Sequence, residues 1–321
     1  MNVEIELAKR MLLRSSPIYV LVPVLFYLKS QEAFFTSLYS SVIVAAGLGG
    51  RMLPTSAYLP KESLPLVDIP VMIHLIREAI HAGVSRIHII TSPIKDFSTF
   101  LDNKDDFYRL KPEISESLFS THESVKFQVH IQHEPLGLGH AILQSLDSID
   151  GPSLILLGDN IITDQFSSIR NFKPSTASKK LVAAFIETGI PCAGIYSVPK
   201  NQVSNYGAVE LTDNKISQIV EKPDINEAPS NKVLCGRYVF SAEARQLLTE
   251  TYPVTQFGEL QTIELQKHWM AGHGLHAVDL SEYQWYDSGN PLAWLKAQID
   301  YGLRNSDYAS ELREWLDNRL V

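Results

Sequence analysis

The sequence predicts an α/β fold in which a mixed, mostly parallel sheet is flanked by helices and carries a small, packed β-rich sub-lobe. Short β-rich runs alternate with amphipathic stretches in the first half of the chain, which is the pattern of βαβ units. Strand-like runs dominate the later half. No linker rich in glycine, serine or proline separates the halves, so we expect the second lobe to pack on the first.

The elements follow from hydrophobic periodicity and turn residues. In the first half we predict strand 41–46, helix 71–83, strand 86–91, strand 127–132, a helix from near Gly139 and strand 153–158. In the later half we predict strands 193–198, 206–211, 216–223 and 233–240, a helix over 242–251 and a helix over 290–304. The segment TDNK at 212–215 is expected to form a hairpin turn. Ser241 is expected to cap the helix that follows it.

The composition is that of an ordinary globular protein. The chain has 321 residues, of which 45% are hydrophobic, enough for one large domain or two. The formal charge of −8 argues against a general nucleic-acid-binding surface, which needs a basic face, but leaves room for a nucleotide pocket with a few local cations. Cys192 and Cys235 form no CxxC pair, so we expect reduced thiols in a cytoplasmic protein.

Residues 17–28, PIYVLVPVLFYL, form an apolar run after three basic residues. This order resembles the start of a signal peptide, but no small-residue cleavage site follows. The run is shorter than the ~20 residues of a membrane helix, and Pro23 disfavours a regular helix. We therefore expect residues 1–40 to be an extension of unknown role, either packed or a start-site artefact, and not a membrane anchor.

A glycine-rich segment, AAGLGGR at 45–51, directly follows the first predicted strand. Glycine allows a tight turn and close approach to a ligand, and exposed backbone N–H groups can cradle phosphate oxygens. Arg51 would add positive charge. The segment is neither a Walker A loop nor a GxGxxG motif, and an ordinary turn is the alternative. Lys61, between prolines in LPKESLP, is a second candidate phosphate ligand, although a surface charge is the ordinary role of such a lysine.

Other candidate residues also follow predicted strands. Gln132 precedes a second glycine loop, HEPLGLGHAI, and carries both donors and acceptors that suit the edge of a nucleobase. Asp159 follows the most apolar strand, and Asp287 lies in YDSG; carboxylates from two segments can share one Mg²⁺. Glu221 and Lys222 stand at the end of a strand, where both could reach a ligand. Each residue taken alone is equally consistent with a turn, a cap or a solvated surface.

The order of these segments along the chain indicates a particular protein family more specifically than any single segment does. Residues 42–305 resemble the sugar-nucleotide pyrophosphorylases, in the sugar nucleotidyltransferase superfamily. The resemblance is carried by AAGLGGR, PKESLPLVDIPV, QHEPLGLGHAI, LLGDN, SNYGAVEL, VEKP, CGRYVF and YDSGNPLAWLKAQIDYGLR. The segments PLGLGHA and GRYVF favour the bacterial uridylyltransferase branch over the thymidylyltransferase branch. The resemblance implies a Rossmann-like nucleotidyltransferase domain of the glycosyltransferase-A type at 41–305, with a helical tail at 306–321.

The resemblance also implies roles for particular residues. Those assigned to the nucleotide are Ala46, Gly47, Gly49, Gly50, Gln132, Gly137 and Asp159. Those assigned to the sugar phosphate are Gly207, Glu221, Lys222 and Gly236. The catalytic cations would be Arg51, Lys61 and Lys222, and Mg²⁺ would be held by Asp159 and Asp287. The implied partners are UTP and glucose-1-phosphate, and the family forms homo-oligomers.

The implied reaction is Mg²⁺-dependent uridylyl transfer from UTP to glucose-1-phosphate, which gives UDP-glucose and pyrophosphate. The attacking oxygen is already an anion, so no Ser-His-Asp arrangement is needed, and charge neutralisation and in-line positioning are the main tasks. Thymidylyl transfer, another sugar-1-phosphate, or a non-catalytic regulatory paralogue that binds a sugar nucleotide are the alternatives.

Four features depart from the family pattern. Gly50 stands where the family has threonine, and Ala57 stands where it has a second lysine before PKE. The segment ELQTIELQ at 259–266 lacks the aspartate of the family's EIQLTDAI. The glycine loop usually lies near the start of the chain, whereas here residues 1–40 precede it. These departures motivate the non-catalytic alternative.

Overall fold

The structure, a computed structural model, describes residue 38 and residues 40–120, 125–252 and 261–319. The predictions for residues 1–37, and part of the departure at 259–266, lie outside the described residues. Leu38–Val321 form one compact unit. Within the described ranges, no helix is long and apolar enough to cross a membrane.

The strands in chain order are β1 (Ser40–Val44), β2 (Pro65–Leu66), β3 (Ile69–Pro70), β4 (Arg86–Thr91), β5 (Lys126–Ile131), β6 (Ser153–Leu157), β7 (Asn160–Thr163), β8 (Cys192–Ser197), β9 (Gly207–Thr212), β10 (Lys215–Glu221), β11 (Lys232–Phe240), β12 (His276–Asp279) and β13 (Gln284–Asp287). The helices are α1 (Val71–His81), α2 (Asp105–Leu110), α3 (Leu138–Leu146), α4 (Ala177–Thr188), α5 (Ala244–Gln246), α6 (Gln261–Ala271), α7 (Pro291–Arg304) and α8 (Ala309–Asp317). The predicted strands and the helices predicted at 71–83, from near Gly139 and at 290–304 are confirmed, with shifts of one or two residues at their ends. The helix predicted over 242–251 is only partly α-helical: the short α5 is followed by a π-helical turn at Leu247–Thr251.

The main sheet has the order β5-β4-β1-β6-β11-β8-β12-β10-β9. Strands β5, β4, β1 and β6 are parallel neighbours, and β12 is parallel to β8. Strand β11 runs antiparallel between β6 and β8, and β10 runs antiparallel to both β12 and β9. The mixed sheet is confirmed, but its antiparallel share is larger than the sequence indicated, because hydrophobic periodicity does not reveal where β11 inserts.

Helices cover both faces of the sheet, as the alternation of strands and helices predicted. On β4, Ile87 and Ile89 belong to a core cluster with side chains of α1, α4 and α7, whereas Ile90 belongs to a cluster with side chains of α3 and α6. Alternate residues of a strand point to opposite faces, so this one strand contributes to both cores. Strands β1, β4 and β6 are therefore buried on both sides, whereas the edge strand β5 is largely exposed.

The β-rich sub-lobe is the β9–β10 hairpin, which extends the main sheet at one edge. Asp213 and Asn214 have φ angles of 48° and 60°, the left-handed conformation that a two-residue hairpin turn requires, so the turn predicted at TDNK is confirmed. A small core cluster that includes Val198, Val203 and Val233 lies beneath the hairpin.

The capping prediction at Ser241 is wrong. Glu243 occupies the N-cap position of α5, and the Ser241 hydroxyl donates to Glu243 Oε1 at 3.1 Å. The Ser241 side chain is thus engaged by a carboxylate that also accepts from the Trp269 indole N–H at 2.6 Å. By contrast, the predicted start of α7 is confirmed, because Asn290 Oδ1 accepts from Ala293 N at 2.9 Å.

Candidate active site

The predicted nucleotide-binding segments meet at one edge of the sheet. Ala45 N donates to Ile90 O at 2.8 Å and Gly158 N donates to Val44 O at 2.9 Å, so β1, β4 and β6 end together. Gln132 N donates to Thr91 O at 2.7 Å, which adds the end of β5 to the row. The glycine loop, Gln132 and Asp159 therefore all begin where these strands stop, as parallel α/β sheets require of a ligand site.

The glycine loop is anchored at one glycine and open at two others. Gly49 has φ +69°, and its carbonyl accepts from Ser56 Oγ at 2.8 Å and from Met52 N at 2.8 Å. A Cβ at Gly49 would lie 3.0 Å from Ser56 Cβ, whereas one at Gly47 or Gly50 would meet nothing within 4 Å. The loop thus has a fixed turn with open space on either side of it, where a ligand can approach the backbone.

Four charged side chains converge beside this loop. Lys61 Nζ donates to Asp159 Oδ2 at 2.5 Å. A Cβ at Gly289 would lie 2.7 Å from Arg51 Nη2 and 2.7 Å from Asp287 Oδ1, so the guanidinium and this carboxylate lie against the same backbone. The pKa of Asp287 is raised, first by burial and then by the negative charge of Asp159, while Arg51 and Lys61 oppose the rise. The structure therefore brings together the four residues that were predicted to handle phosphate and metal.

The two aspartates are held by backbone contacts. Ser288 N and Ser288 Oγ each donate to Asp159 O at 2.9 Å, which joins the end of β6 to the segment after β13. Asp287 Oδ1 accepts from Gly289 N at 2.7 Å. These bonds keep two like charges close together, and their mutual repulsion is part of the raised pKa of Asp287.

This donor set fits a Mg²⁺ ion that a substrate helps to bind. No group of three or more His, Cys, Asp or Glu side chains among the described residues could hold a metal. Mg²⁺ is commonly bound by one or two carboxylates together with substrate phosphates and water, so Asp159 and Asp287 suffice if phosphate oxygens complete the coordination. A cation between them would also offset the repulsion that raises the pKa of Asp287.

The predicted base-reading residues form a separate, neutral group. Gln132 is buried, and its amide nitrogen donates to Gly137 O at 3.1 Å and lies 3.0 Å from His140 Nδ1. Gly137 has φ +97° and precedes the first residue of α3, so only glycine fits this turn without strain. The second glycine loop therefore wraps around the Gln132 side chain.

The predicted sugar-phosphate residues lie on the hairpin and on β11. Glu221 Oε2 would be 3.0 Å from a Cβ at Gly207. Lys222 has φ +44°, which is rare for a residue with a side chain, and its Nζ lies 3.7 Å from Glu221 Oε1. The turn at Lys222 thus brings the two side chains together at the end of β10. Gly236, at φ +77°, approaches Asn160, whose Nδ2 would be 2.9 Å from a Cβ there.

Tyr206, which we did not single out from the sequence, lies between the predicted sugar-phosphate residues and the charged side chains beside the glycine loop. Burial raises the pKa of its hydroxyl, the charge of Asp287 raises it further, and Arg51 lowers it. Its ring packs on Trp285 at 4.9 Å between centroids, and the Trp285 indole N–H donates to Asn160 Oδ1 at 2.7 Å. Its position in SNYGAVEL, directly before Gly207, could have identified it in the sequence as a candidate site residue.

Two buried ion pairs beneath the site were also missed. Lys95 donates to Glu62 at 2.9 Å and to Ala45 O at 2.8 Å, directly under the glycine loop. Arg237 binds both oxygens of Glu78 at 2.9 Å and donates to Asn160 O at 2.9 Å, next to Asp159. The second pair had a signal in the sequence: an arginine inside the apolar run VLCGRYVF needs a buried acid.

Comparison with known proteins agrees with this geometry. The nucleotidyl transferase family matches residues 40–302. A UTP–glucose-1-phosphate uridylyltransferase of Haemophilus influenzae is 30% identical over 293 residues, which span 87% of this chain and 98% of the relative. UTP–glucose-1-phosphate uridylyltransferase 2 of Staphylococcus saprophyticus is 32% identical, over 86% of this chain and 96% of the relative.

Solved structures show the same likeness. A UDP-glucose pyrophosphorylase from Acinetobacter baumannii has a TM-score of 0.73 and 28% identity, and the match covers 88% of this chain and 99% of that one. A UTP-bound form of the Acinetobacter baumannii protein has a TM-score of 0.71 at 28% identity, covering 87% and 98%. The resemblance found in the sequence is confirmed: this chain belongs to the nucleotidyl transferase family, alongside the UTP–glucose-1-phosphate uridylyltransferases.

Proposed function

We propose that this protein transfers the uridylyl group of UTP to glucose-1-phosphate, forming UDP-glucose and pyrophosphate. One observation carries the proposal: Arg51, Lys61, Asp159 and Asp287 converge at the row of strand ends, beside an open glycine loop. Its relatives of 30% and 32% identity are named for this reaction.

In this reaction an oxygen of the sugar phosphate forms a bond to the α-phosphorus of UTP, and the bond from that phosphorus to the bridging oxygen of the β-phosphate breaks. The nucleophile needs no general base because it is already ionised. The barrier comes from bringing two polyanions together, and fixed cations lower it. Arg51 and Lys61 would bind the triphosphate, and Lys222 would bind the sugar phosphate.

The remaining assignments follow the two sides of the site. Mg²⁺ held by Asp159 and Asp287 would neutralise phosphate charge and orient the phosphates for in-line attack. Gln132 and Gly137 would bind the uracil, with the backbone of Ala46, Gly47 and Gly50 along the nucleotide. Glu221, with the backbone near Gly207 and Gly236, would hydrogen-bond the sugar hydroxyls. Homo-oligomerisation remains a prediction from the family, and a cytoplasmic location remains a prediction from the two isolated cysteines.

The test is pyrophosphate release by the purified protein with Mg²⁺ and glucose-1-phosphate, with UTP and dTTP in parallel. We expect release with UTP, and a much weaker response with dTTP. Comparable or stronger release with dTTP would favour thymidylyl transfer instead. Binding of UTP without release from either nucleotide would favour the non-catalytic alternative that Gly50 and Ala57 raised.

A further inference from the structure

The orientation of the Gln132 carboxamide is determined by its two neighbours. Gly137 O can only accept a hydrogen bond, so the group 3.1 Å from it is the amide nitrogen. The second hydrogen of that NH₂ points to His140 Nδ1 at 3.0 Å. When the nitrogen donates to both neighbours, His140 Nδ1 is the acceptor of this contact and the ring proton lies on Nε2.

This arrangement leaves Gln132 Oε1 available to a ligand. Within the described part of the chain, Oε1 has no protein donor, and it is not among the side-chain atoms sealed from solvent. Gln132 is 8% exposed, and because its amide nitrogen is engaged by Gly137 and His140, the oxygen is the carboxamide atom left for a ligand. The site therefore offers a fixed acceptor at the place where the base is proposed to bind.

A fixed acceptor distinguishes the two pyrimidines of RNA. Uracil carries a donor, N3–H, on its Watson–Crick edge, whereas cytosine has an unprotonated N3 that accepts. A freely rotating glutamine could serve both bases, by turning its oxygen to uracil or its nitrogen to cytosine. Here a rotated amide would place its oxygen against Gly137 O, which loses that hydrogen bond and sets two acceptors against each other. It would also lose the bond to His140 Nδ1 unless the ring proton moved from Nε2 to Nδ1.

We propose that His140 is a specificity-determining positioning residue: it locks the Gln132 carboxamide with the oxygen outward, so that the site accepts UTP and rejects CTP. The inference rests on the proposed function, since it assumes that the base lies at Gln132. His140 touches neither the base nor the phosphates in this scheme, and it acts through Gln132 alone. Its own place is set by α3, where its carbonyl accepts from Gln144 Nε2 at 3.0 Å.

The test compares kcat/KM for UTP and CTP in the full-length protein and in three variants. His140→Phe keeps a ring but removes the acceptor. His140→Asn restores an acceptor close to the position of Nδ1. Gln144→Ala, on the same helix, is the matched control, because it removes only the contact to the His140 carbonyl. Thermal melting verifies that each variant is folded.

We expect His140→Phe to lower the UTP-to-CTP ratio about tenfold, the effect of one well-placed hydrogen bond. The hydrogen bond to the Gly137 carbonyl would still orient the amide, so part of the preference for UTP over CTP would remain. His140→Asn should restore the ratio to within about threefold of the parent, and Gln144→Ala should leave it unchanged. Equal losses for both nucleotides in His140→Phe would mean that His140 is only structural and would overturn the proposal, as would a parent protein that uses CTP as well as UTP.

Equilibrium binding of UTP and CTP in the presence of Mg²⁺, without sugar phosphate, separates this proposal from the proposed reaction. Suppose that the protein turns over neither nucleotide but binds UTP selectively, and that His140→Phe loses that selectivity. The proposed role of His140 is then supported, and the proposed reaction is wrong. If UTP and CTP bind the parent protein with equal affinity, the proposed role of His140 is wrong, whether or not the protein is active.

Discussion

The two sides of the candidate site are built from different interactions. On the side proposed to bind the phosphates, the phosphate side, charged groups pair with one another: Lys61 pairs with Asp159, and beneath the loop Lys95 pairs with Glu62. On the side proposed to bind the base, the base side, Gln132 is held by the Gly137 carbonyl and the imidazole of His140. A polyanionic substrate is bound best by charged groups at fixed positions, and burying such groups costs stability. A nucleobase is recognised by the geometry of its hydrogen bonds, which uncharged donors and acceptors can provide.

The difference shows in the pKa values of the phosphate side. Burial raises the pKa of Glu62 and of Asp287 and lowers that of Lys95, so each of these groups is disfavoured in its charged form. Such groups are maintained at sites where function needs them, at the expense of stability. Substitutions on the phosphate side are therefore expected to change stability and activity far more than those on the base side.

The largest effect is expected at Asp287. Asp287→Asn keeps an acceptor for Gly289 N but removes one of the two proposed metal ligands, and loss of one such electrostatic partner costs about 10² to 10³ in turnover. Pyrophosphate release measures it, with exposed Asp102→Asn as the control that leaves activity unchanged. Near-parental release by Asp287→Asn would remove Asp287 from the metal site.

Asp287→Asn should also stabilise the metal-free protein above the acidic range. The folded pKa of Asp287 is raised, so the folded state binds its proton more tightly, and stability falls as the pH rises through the window between the unfolded and folded pKa values. The asparagine variant lacks this fall. Thermal melting without metal, from about pH 4 to about pH 7, should show a growing advantage for the variant, and a constant difference would contradict the electrostatic explanation.

A smaller but still large effect is expected at the ion pair beneath the glycine loop. Glu62→Gln leaves the Lys95 ammonium buried without its counter-charge, and breaking such a pair costs about 3–5 kcal/mol. The free energy of unfolding from urea titration measures the loss. The double variant Glu62→Gln with Lys95→Met should recover part of it, because no buried charge then remains. A loss below about 1 kcal/mol in Glu62→Gln, the level of an exposed pair, would mean that this pair is not a support of the loop.

The two sides also differ in how far the sequence predicted them. Gly47, Gln132 and Asp159 were placed correctly at strand ends because the local rhythm of strands and helices determines which residues follow a strand. The pairing of Glu62 with Lys95 could not be predicted, because it depends on how the fold brings together the segments that follow β1 and β4. Tyr206 was missed for the same reason, since its approach to Asp287 and Arg51 depends on how β9 and β13 meet. The position of β11 between β6 and β8 likewise follows from global packing and not from any local pattern.

The smallest effects are expected within the glycine loop itself, where two adjacent glycines differ. Gly49 has φ +69° and little room for a Cβ. Gly50 faces open space, and its φ is not positive. We therefore expect Gly49→Ala to destabilise the protein by about 1–2 kcal/mol, the cost of the left-handed conformation for a residue with a side chain. Gly50→Thr, which restores the family's usual residue, should change stability by less than about 0.5 kcal/mol and leave activity equal or higher. Urea titration and pyrophosphate release on both variants make the comparison. Loss of activity in Gly50→Thr together with full activity in Gly49→Ala would contradict this assignment. The position that tolerates no side chain would then be Gly50, and the phosphates would have to approach the loop on its other side.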